Sequence, residues 1–466
     1  MSTTDTLELL RRFESRNVTF IEPDGSWPIV WHRARGTQVW DCDGNRYLDL
    51  TAAFGVAAAG HANARVVKAG QRQLAELPHA MGDVHPHALK AQLARELSRI
   101  TFERWAGPRS NSQIPNLNSG KTIFCNSGFE SVEAALKTAL LATGKRGVIA
   151  FEGAYHGLGY GALNATHRAH FRSRFLAQLG GFGHFVPFPK AKPVAREQEG
   201  GYHGRSEAVG NSGRSRSVVT PLESITASIR RLFRREKIGA VLVEPIQVRG
   251  GINIPPPEFL PLLRGVCDEQ GALLILDEIH TGFGRTGKWF ACEHSKTVPD
   301  ILCLGKALTG GFPLSACVGR SAVMDAAWPP SSGEAIHTST FLGHPVGCAM
   351  ALAQIKEISR LQLVRRSSKL GRVLLDMLSE LAGQRSPVLL AARGLGLVAG
   401  LEVCAPDGSP ATKFVLRIIK SMLQRGFIAL PEGEHANVVS FTPPLTITAE
   451  QLQAAVATLA ELVNAP

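Results

Sequence analysis

Asp300-Ile-Leu-Cys-Leu-Gly-Lys-Ala-Leu-Thr-Gly-Gly-Phe-Pro-Leu-Ser315 decides how this chain is read. Ile301 to Leu304 is a short unbroken apolar run, the pattern of a strand buried on both faces. Lys306 follows almost at once. Thr309, Gly310, Gly311 and Pro313 forbid a long helix after it. A lysine on such a turn has two fates. Most lysines are solvated. One held against apolar walls has its ammonium form penalised, its pKa lowered and its lone pair freed as a nucleophile. The rest of the chain decides between them.

The same strand-then-turn pattern recurs from Lys121 to about Gly319. Strands are expected at Thr122-Cys125, Gly147-Phe151, Ala240-Val243, Leu273-Leu276, Ile301-Leu304 and Ser315-Val318, with helices between them. Apolar strands alternating with helices predict a mainly parallel sheet covered on both faces. Ligands of such sheets sit beyond the carboxyl ends of the strands, so the residues after each strand carry the functional information.

After the first strand comes Asn126-Ser-Gly-Phe-Glu-Ser131, opening a helix near Glu130. A Ser-Gly turn at a helix N-terminus offers backbone N–H groups and the positive end of the helix dipole, a seat for phosphate; it is equally a common N-cap. After the second comes Gly153-Ala-Tyr-His-Gly157. It places Tyr155 where a flat ligand would stack, or where a core tyrosine would pack. Glu244 ends the third strand and leads into Pro245-Ile-Gln-Val-Arg-Gly-Gly251. Asp277 ends the fourth. A buried carboxylate there is costly unless paired, and a protonated ring nitrogen is such a partner. Gly282-Phe-Gly-Arg-Thr-Gly287 matches G-x-G-x-x-G, but it is not in the first strand–turn–helix unit and no clear helix follows it, so it is a weak dinucleotide signal. His337-Thr-Ser-Thr-Phe-Leu-Gly-His-Pro345 adds hydroxyls ahead of a helix. A flat ring, a basic ring nitrogen, a phosphate and an aldehyde for Lys306 together describe pyridoxal 5′-phosphate, PLP.

Here the chain resembles the class III aminotransferases of fold type I, the ornithine, acetylornithine and 4-aminobutyrate type. The resemblance runs from Gly36 to Phe441-Thr-Pro-Pro-Leu-Thr-Ile-Thr448 and is most specific from Leu242 to Val318. It implies an α/β fold: a large PLP-binding domain, residues 76–344, with a mainly parallel seven-stranded sheet between helices. A small α+β domain would be built from residues 1–75 and 345–466. It implies that Lys306 condenses with the cofactor aldehyde and later shuttles protons, and that Asp277 pairs with the ring nitrogen. Ile279 and Tyr155 would cover the two ring faces, with His156 and Glu244 beside the cofactor. His280 stands where the family often has Gln near the phenolate oxygen. Ser127, Gly128 and Phe129 would seat the phosphate. Thr340 would reach a phosphate across a homodimer interface. Arg393 would bind the substrate α-carboxylate, and Phe54 would line the substrate side.

Two departures bear on substrate. Where the acetylornithine and 4-aminobutyrate branches follow Tyr/Phe-His-Gly with an arginine for a distal carboxylate, this chain has Leu158. Where they read Glu-Pro-Ile/Val-Gln-Gly-Glu, the second glutamate, partner of the carboxylate-binding arginine, is here Arg249. Arg249 and Arg393 would then repel unless an anion lay between them. The expectation is that Arg249 binds a second acidic group of the substrate, unless it faces solvent or pairs with another carboxylate.

The reaction implied is transfer of an amino group from an amino acid or ω-amine to a 2-oxo acid such as pyruvate or 2-oxoglutarate. An aminomutase, racemase or decarboxylase on the same scaffold is the alternative within this chemistry. A regulatory or nucleic-acid-binding protein retaining only the fold is the alternative outside it.

The length suggests two or three domains, or one large domain with a smaller partner. The chain has 466 residues and 44% hydrophobic content, enough for a sizeable core. Its formal charge of +12 falls in short clusters, His167 to Arg174, Arg230 to Lys237 and the Gly/Ser-rich stretch from Lys190 to Arg216, part of a polar excursion from Lys190 to Val218. These read as solvated faces rather than a nucleic-acid module. No apolar run reaches the length of a membrane span. Met1 to Asn17 mixes acidic and basic residues and reads as an amphipathic helix rather than a targeting signal. Eight scattered cysteines form no C-x-x-C pair, so neither a metal site nor a disulfide framework is indicated and a cytoplasmic protein is expected.

Overall fold

The chain opens with the helix Thr3–Phe13 and a meander of β1 (Trp31–Arg35), β2 (Gln38–Asp41) and β3 (Arg46–Asp49). The computed structural model describes residues 1–106, 119–190 and 221–464; the excursion expected near 190–218 lies outside them apart from Lys190. The Asp43-Gly44 turn joins β2 to β3 as its sequence demands: Asp41 N–H donates to Asn45 O at 3.0 Å, and Gly44 sits at φ 90°.

The central sheet comprises β4 (Gly120–Cys125), β5 (Gly147–Phe151), β6 (Gly183–Val186), β7 (Ile238–Val243), β8 (Leu273–Asp277), β9 (Ile301–Leu304) and β10 (Ser315–Arg320), in spatial order β4-β10-β9-β8-β7-β5-β6. β6, β5, β7, β8 and β9 run parallel, and β10 is antiparallel to both of its neighbours. The physical reason is length. A parallel crossover needs a dozen or more residues, and the segment carrying Lys306 between β9 and β10 is shorter. It turns back instead. β6 was not foreseen from the sequence. It is a four-residue, half-buried edge strand preceded by Gly180 and Gly181, with little apolar signal.

Every residue of β5, β7 and β9 is buried. Alternate side chains feed two cores. Val241, Val243, Leu274, Leu276, Leu302 and Leu304 pack on one face. Ala240, Leu242, Ile275, Ile301 and Cys303 pack on the other, against Val132, Ala135 and Ala139 of the helix Gly128–Thr143. Each large aliphatic side chain so buried contributes roughly 1.5–3 kcal/mol relative to exposure.

After Pro345 the sequence reads as one long helix to about Leu381, and Gly394-Val398 and Phe427-Leu430 read as strands; the structure corrects all three. The single helix expected after Pro345 is two, Pro345–Arg360 and Leu363–Ala382, because Gln362 takes a left-handed φ of 51°. The strand expected at Gly394-Val398 is the turn of a hairpin: β11 (Leu389–Gly394) and β12 (Ala399–Cys404) flank it, and Leu395 N–H donates to Val398 O at 2.9 Å. The strand expected at Phe427-Leu430 is divided between two sheets. β13 (Phe427–Ile428) pairs in parallel with β3, while β14 (Leu430–Glu432) pairs with β15 (Val438–Phe441). One sheet is therefore β1-β2-β3-β13 and the other β11-β12-β15-β14. The helix Ala449–Asn464 closes the described chain.

Candidate active site

The carboxyl ends of β4, β5, β7, β8 and β9 converge on one cavity of about 400 Å³, lined among others by Gly128, Tyr155, Glu244, Asp277, Ile279 and Lys306. Alternation along each strand decides which face of the sheet its last side chains point to, so the site depends on strand register.

Lys306 sits just past β9 with a left-handed φ of 42°. Its Nζ lies 2.8 Å from Nδ1 of His280. Burial lowers the Lys306 pKa to about 8, against the opposing charges of Asp277 and Glu432. Burial, reinforced by Lys306, Arg285 and Arg249, holds His280 well below its ordinary value. His280 is therefore neutral, and its Nδ1 accepts from the lysine. Gly55 is what admits the imidazole: a Cβ there would stand 2.7 Å from His280 Nε2.

Asp277, 5% exposed, is held at both oxygens. Oδ1 accepts from Ile279 N–H at 3.1 Å and Oδ2 lies 2.8 Å from His156 Nδ1. His156 is fixed in turn, its N–H donating to Thr166 Oγ1 at 2.9 Å. Its buried Nε2 has no hydrogen-bond partner among the described residues. Glu244 accepts from Tyr155 N–H at 2.9 Å, which sets the tyrosine over the cavity. Burial, with Asp277 nearby, raises the Glu244 carboxyl to about 7.

At the end of β4 the helix Gly128–Thr143 points its N-terminus at the cavity. Ser127 Oγ is buried there without a partner, and a Cβ on Gly128 would come 3.2 Å from Ile279 Cδ1. Gly157, at φ 108°, lets its chain cross Phe129; a Cβ would lie 2.3 Å from that of Phe129. An amine, a paired aspartate, an aromatic and an aliphatic wall, and an unsatisfied hydroxyl at a helix N-terminus match the donor set PLP requires.

Residues 21–463 match the family model described as Aminotransferase class-III. The chain belongs to the class III aminotransferase family. It is 36% identical to a putrescine aminotransferase of Pectobacterium atrosepticum over 91% of this chain and 80% of the relative. It is 34% identical to an acetylornithine aminotransferase of Methanosarcina acetivorans over 93% of this chain and 91% of the relative. Among solved structures, an amine transaminase from an uncultivated Pseudomonas species, in its PLP-bound form, superposes with a TM-score of 0.81 at 27% identity, covering 97% of this chain and 98% of the other. Members of this family are PLP-dependent transaminases, and the fold is that of fold type I.

On this class III scaffold the structure brings together Lys306, Asp277, His156, Glu244, Tyr155, Ile279, His280, Gly128, Phe129 and Arg249 around the cavity. It does not bring three other expected residues to it. Phe54 is 53% exposed, on a left-handed turn. Thr340 is exposed and away from the cavity. Arg393 is committed elsewhere: Nε and Nη2 donate to Gly251 O at 3.0 and 2.6 Å, and Nη1 pairs with Glu402 at 2.6 Å. Of the alternatives left open for Arg249, pairing with another carboxylate is the one found: its Nη1 lies 3.3 Å from Glu432 Oε1. The G-x-G-x-x-G match is a structural turn in this aminotransferase. Its Arg285 is fully buried and donates to Leu397 O at 3.0 Å and to Pro443 O.

Two residues near the site were missed. Glu432 ends an irregular three-residue strand, and only its position between Pro431 and Gly433 in an apolar region marked it. Arg168 belongs to the His167–Arg174 cluster expected to be a solvated face. It is half-buried, over the ring of Phe171 at 5.5 Å, and Phe171 meets Tyr155 edge-on at 5.4 Å.

Proposed function

We propose that this transaminase binds PLP in the cavity and moves nitrogen from a primary amine whose far end lacks a carboxylate to a 2-oxo acid, pyruvate or 2-oxoglutarate. The observation that carries the reading is the approach of a deprotonatable lysine and a doubly held aspartate to one cavity. Ser127, Gly128 and Phe129 would hold the phosphate, Tyr155 and Ile279 the ring faces, and Asp277 the ring nitrogen, with His156, Glu244 and His280 around it. When bound, PLP supplies the electron sink for the pair left at the donor carbon. Lys306 Nζ takes a proton from the donor carbon and later delivers one to the acceptor's carbonyl carbon. His280 Nδ1 holds that amine in line. Glu244, through the Tyr155 N–H, orients the tyrosine and with it excludes water from the ring face.

Leu158, 49% exposed and lining the cavity, leaves an apolar wall where a distal carboxylate would need a cation. The names of the putrescine and acetylornithine relatives fit a donor whose reacting end is an ω-amine. Thr340, exposed and not lining the cavity of its own chain, fits a homodimer in which it completes the phosphate site of the other subunit. Eight free thiols, mostly buried, fit a reducing, cytoplasmic setting. No helix among the described residues is long and apolar enough to cross a membrane.

The test is a panel of amines added to the purified PLP form. Donors should bleach its visible band and a 2-oxo acid should restore it. A band unmoved by every amine, or product without exchange with added 2-oxo acid, overturns transfer. Mixing Lys306→Ala with Thr340→Val chains should regain part of the lost activity if sites are shared between subunits.

A further inference from the structure

Among the described residues lining the cavity only one carries a guanidinium, Arg249. Arg249 lies over the Tyr155 ring at 5.6 Å, and its only carboxylate contact among the described residues is a single one, Nη1 to Glu432 Oε1 at 3.3 Å. That Glu432 side chain is 5% exposed. Arg168 stands behind them. It donates to Glu434 O at 3.3 Å, and it feels both Arg249 and Glu432, as well as the exposed Glu434. Arg249 alone contacts the buried Glu432 carboxylate, and Arg168 adds a second guanidinium to its surroundings. Arg393 does not join them. Its donors hold the carbonyls of Gly251 and Ile252 and the carboxylate of Glu402. It braces from outside the cavity the loop that presents Arg249.

We propose that Arg249 takes the carboxylate of the 2-oxo acid acceptor, that Glu432 is its counter-ion until the acceptor enters, and that Arg168 keeps the local charge positive enough for the exchange. The inference rests on the transaminase reading above. Every 2-oxo acid carries a carboxylate next to its reacting carbonyl, and Arg249 shares a cavity with Lys306. A single long contact to Glu432 is weaker than the bidentate pair an incoming carboxylate can make. A carboxylate-free amine leaves the Arg249–Glu432 pair closed, so no buried charge is stranded in the donor half-reaction. Arg393 and Arg168 are positioning residues in this scheme. Arg249 touches substrate.

The two half-reactions, run separately on PLP-loaded enzyme, test this. Arg249→Ala should raise the KM for pyruvate roughly ten- to hundredfold, with the effect falling on the acceptor half far more than on the putrescine half. Arg249→Lys should lie between it and the parent, which guards against a misfolded alanine variant. Glu432→Gln should act in the opposite sense, lowering the pyruvate KM and tightening the binding of propionate, an unreactive carboxylate followed by calorimetry. Unchanged pyruvate KM and propionate affinity in Arg249→Ala overturn the proposal. So does a rise confined to 2-oxoglutarate, or a Glu432→Gln variant that binds propionate more weakly. If no amine bleaches the parent enzyme, it is the transaminase reading that fails.

Discussion

The floor of the cavity and its rim are built on different principles. On the floor, Asp277 and Lys306 sit at the ends of adjacent buried strands, and each is held by a histidine, His156 at 2.8 Å and His280 at 2.8 Å. On the rim, Arg249, Leu158, Arg168 and Glu432 come from loops and an irregular strand, and their contacts are longer, 3.3 Å for the Arg249–Glu432 pair. The difference teaches where chemistry and selectivity are kept apart. Groups that must stay in place are set by sheet register, and groups that must yield to different substrates hang from segments that can shift.

Substitutions on the floor should have the largest effects. Lys306→Ala should lower turnover by at least roughly 10⁴-fold, and should leave the purified protein without a visible lysine-linked band. Retained turnover would erase the distinction between floor and rim. Asp277→Asn keeps the shape but not the charge, and should lower kcat by about 10²–10³-fold in steady-state assays. A smaller loss in His156→Phe would show that the histidine orients the aspartate rather than replaces it.

Glu244 sharpens the comparison through stability. Its carboxyl is raised from 4.5 to about 7 by burial. Between those values the folded cofactor-free protein holds a proton that the unfolded chain has lost, so stability falls as pH rises through the window and is constant above it. Glu244→Gln keeps an acceptor for the Tyr155 N–H and removes the charge. Denaturant melts should find it more stable than the parent by roughly 2–3 kcal/mol above pH 7 and equal to it near pH 4. A difference independent of pH would contradict the assignment. The smallest effect is on the rim. Leu158→Arg should improve the KM for 4-aminobutyrate about tenfold, or roughly 1.4 kcal/mol, without changing the floor's absorbance.

The floor was legible because strand ends are local facts. Four apolar residues before Lys306, and four before Asp277, announce a buried strand and place the next residue at its mouth. The glycine of His156-Gly157 was visible too, although its reason, the crossing over Phe129, was not. Edge strand β6 escaped because a short, half-buried strand beside glycines has little hydrophobic period. Glu432 and Arg168 escaped because polarity alone reads as solvent, and only the pairing of Glu432 with Arg249 and the seat of Arg168 over Phe171 show otherwise. Arg393 kept its place in the motif, but its donors were taken by the carbonyls of a loop more than a hundred residues earlier.

By itself, the sequence determined the layered α/β fold, the amine at Lys306 and the aspartate at Asp277, because buried runs and turn residues act over a few neighbours. Only the tertiary structure decided the pairing of charges: Arg393 with Glu402, Arg249 with Glu432, His280 with Lys306. An ion pair is chosen by distance in space and by shared burial, and neither is written in the spacing of residues along a chain.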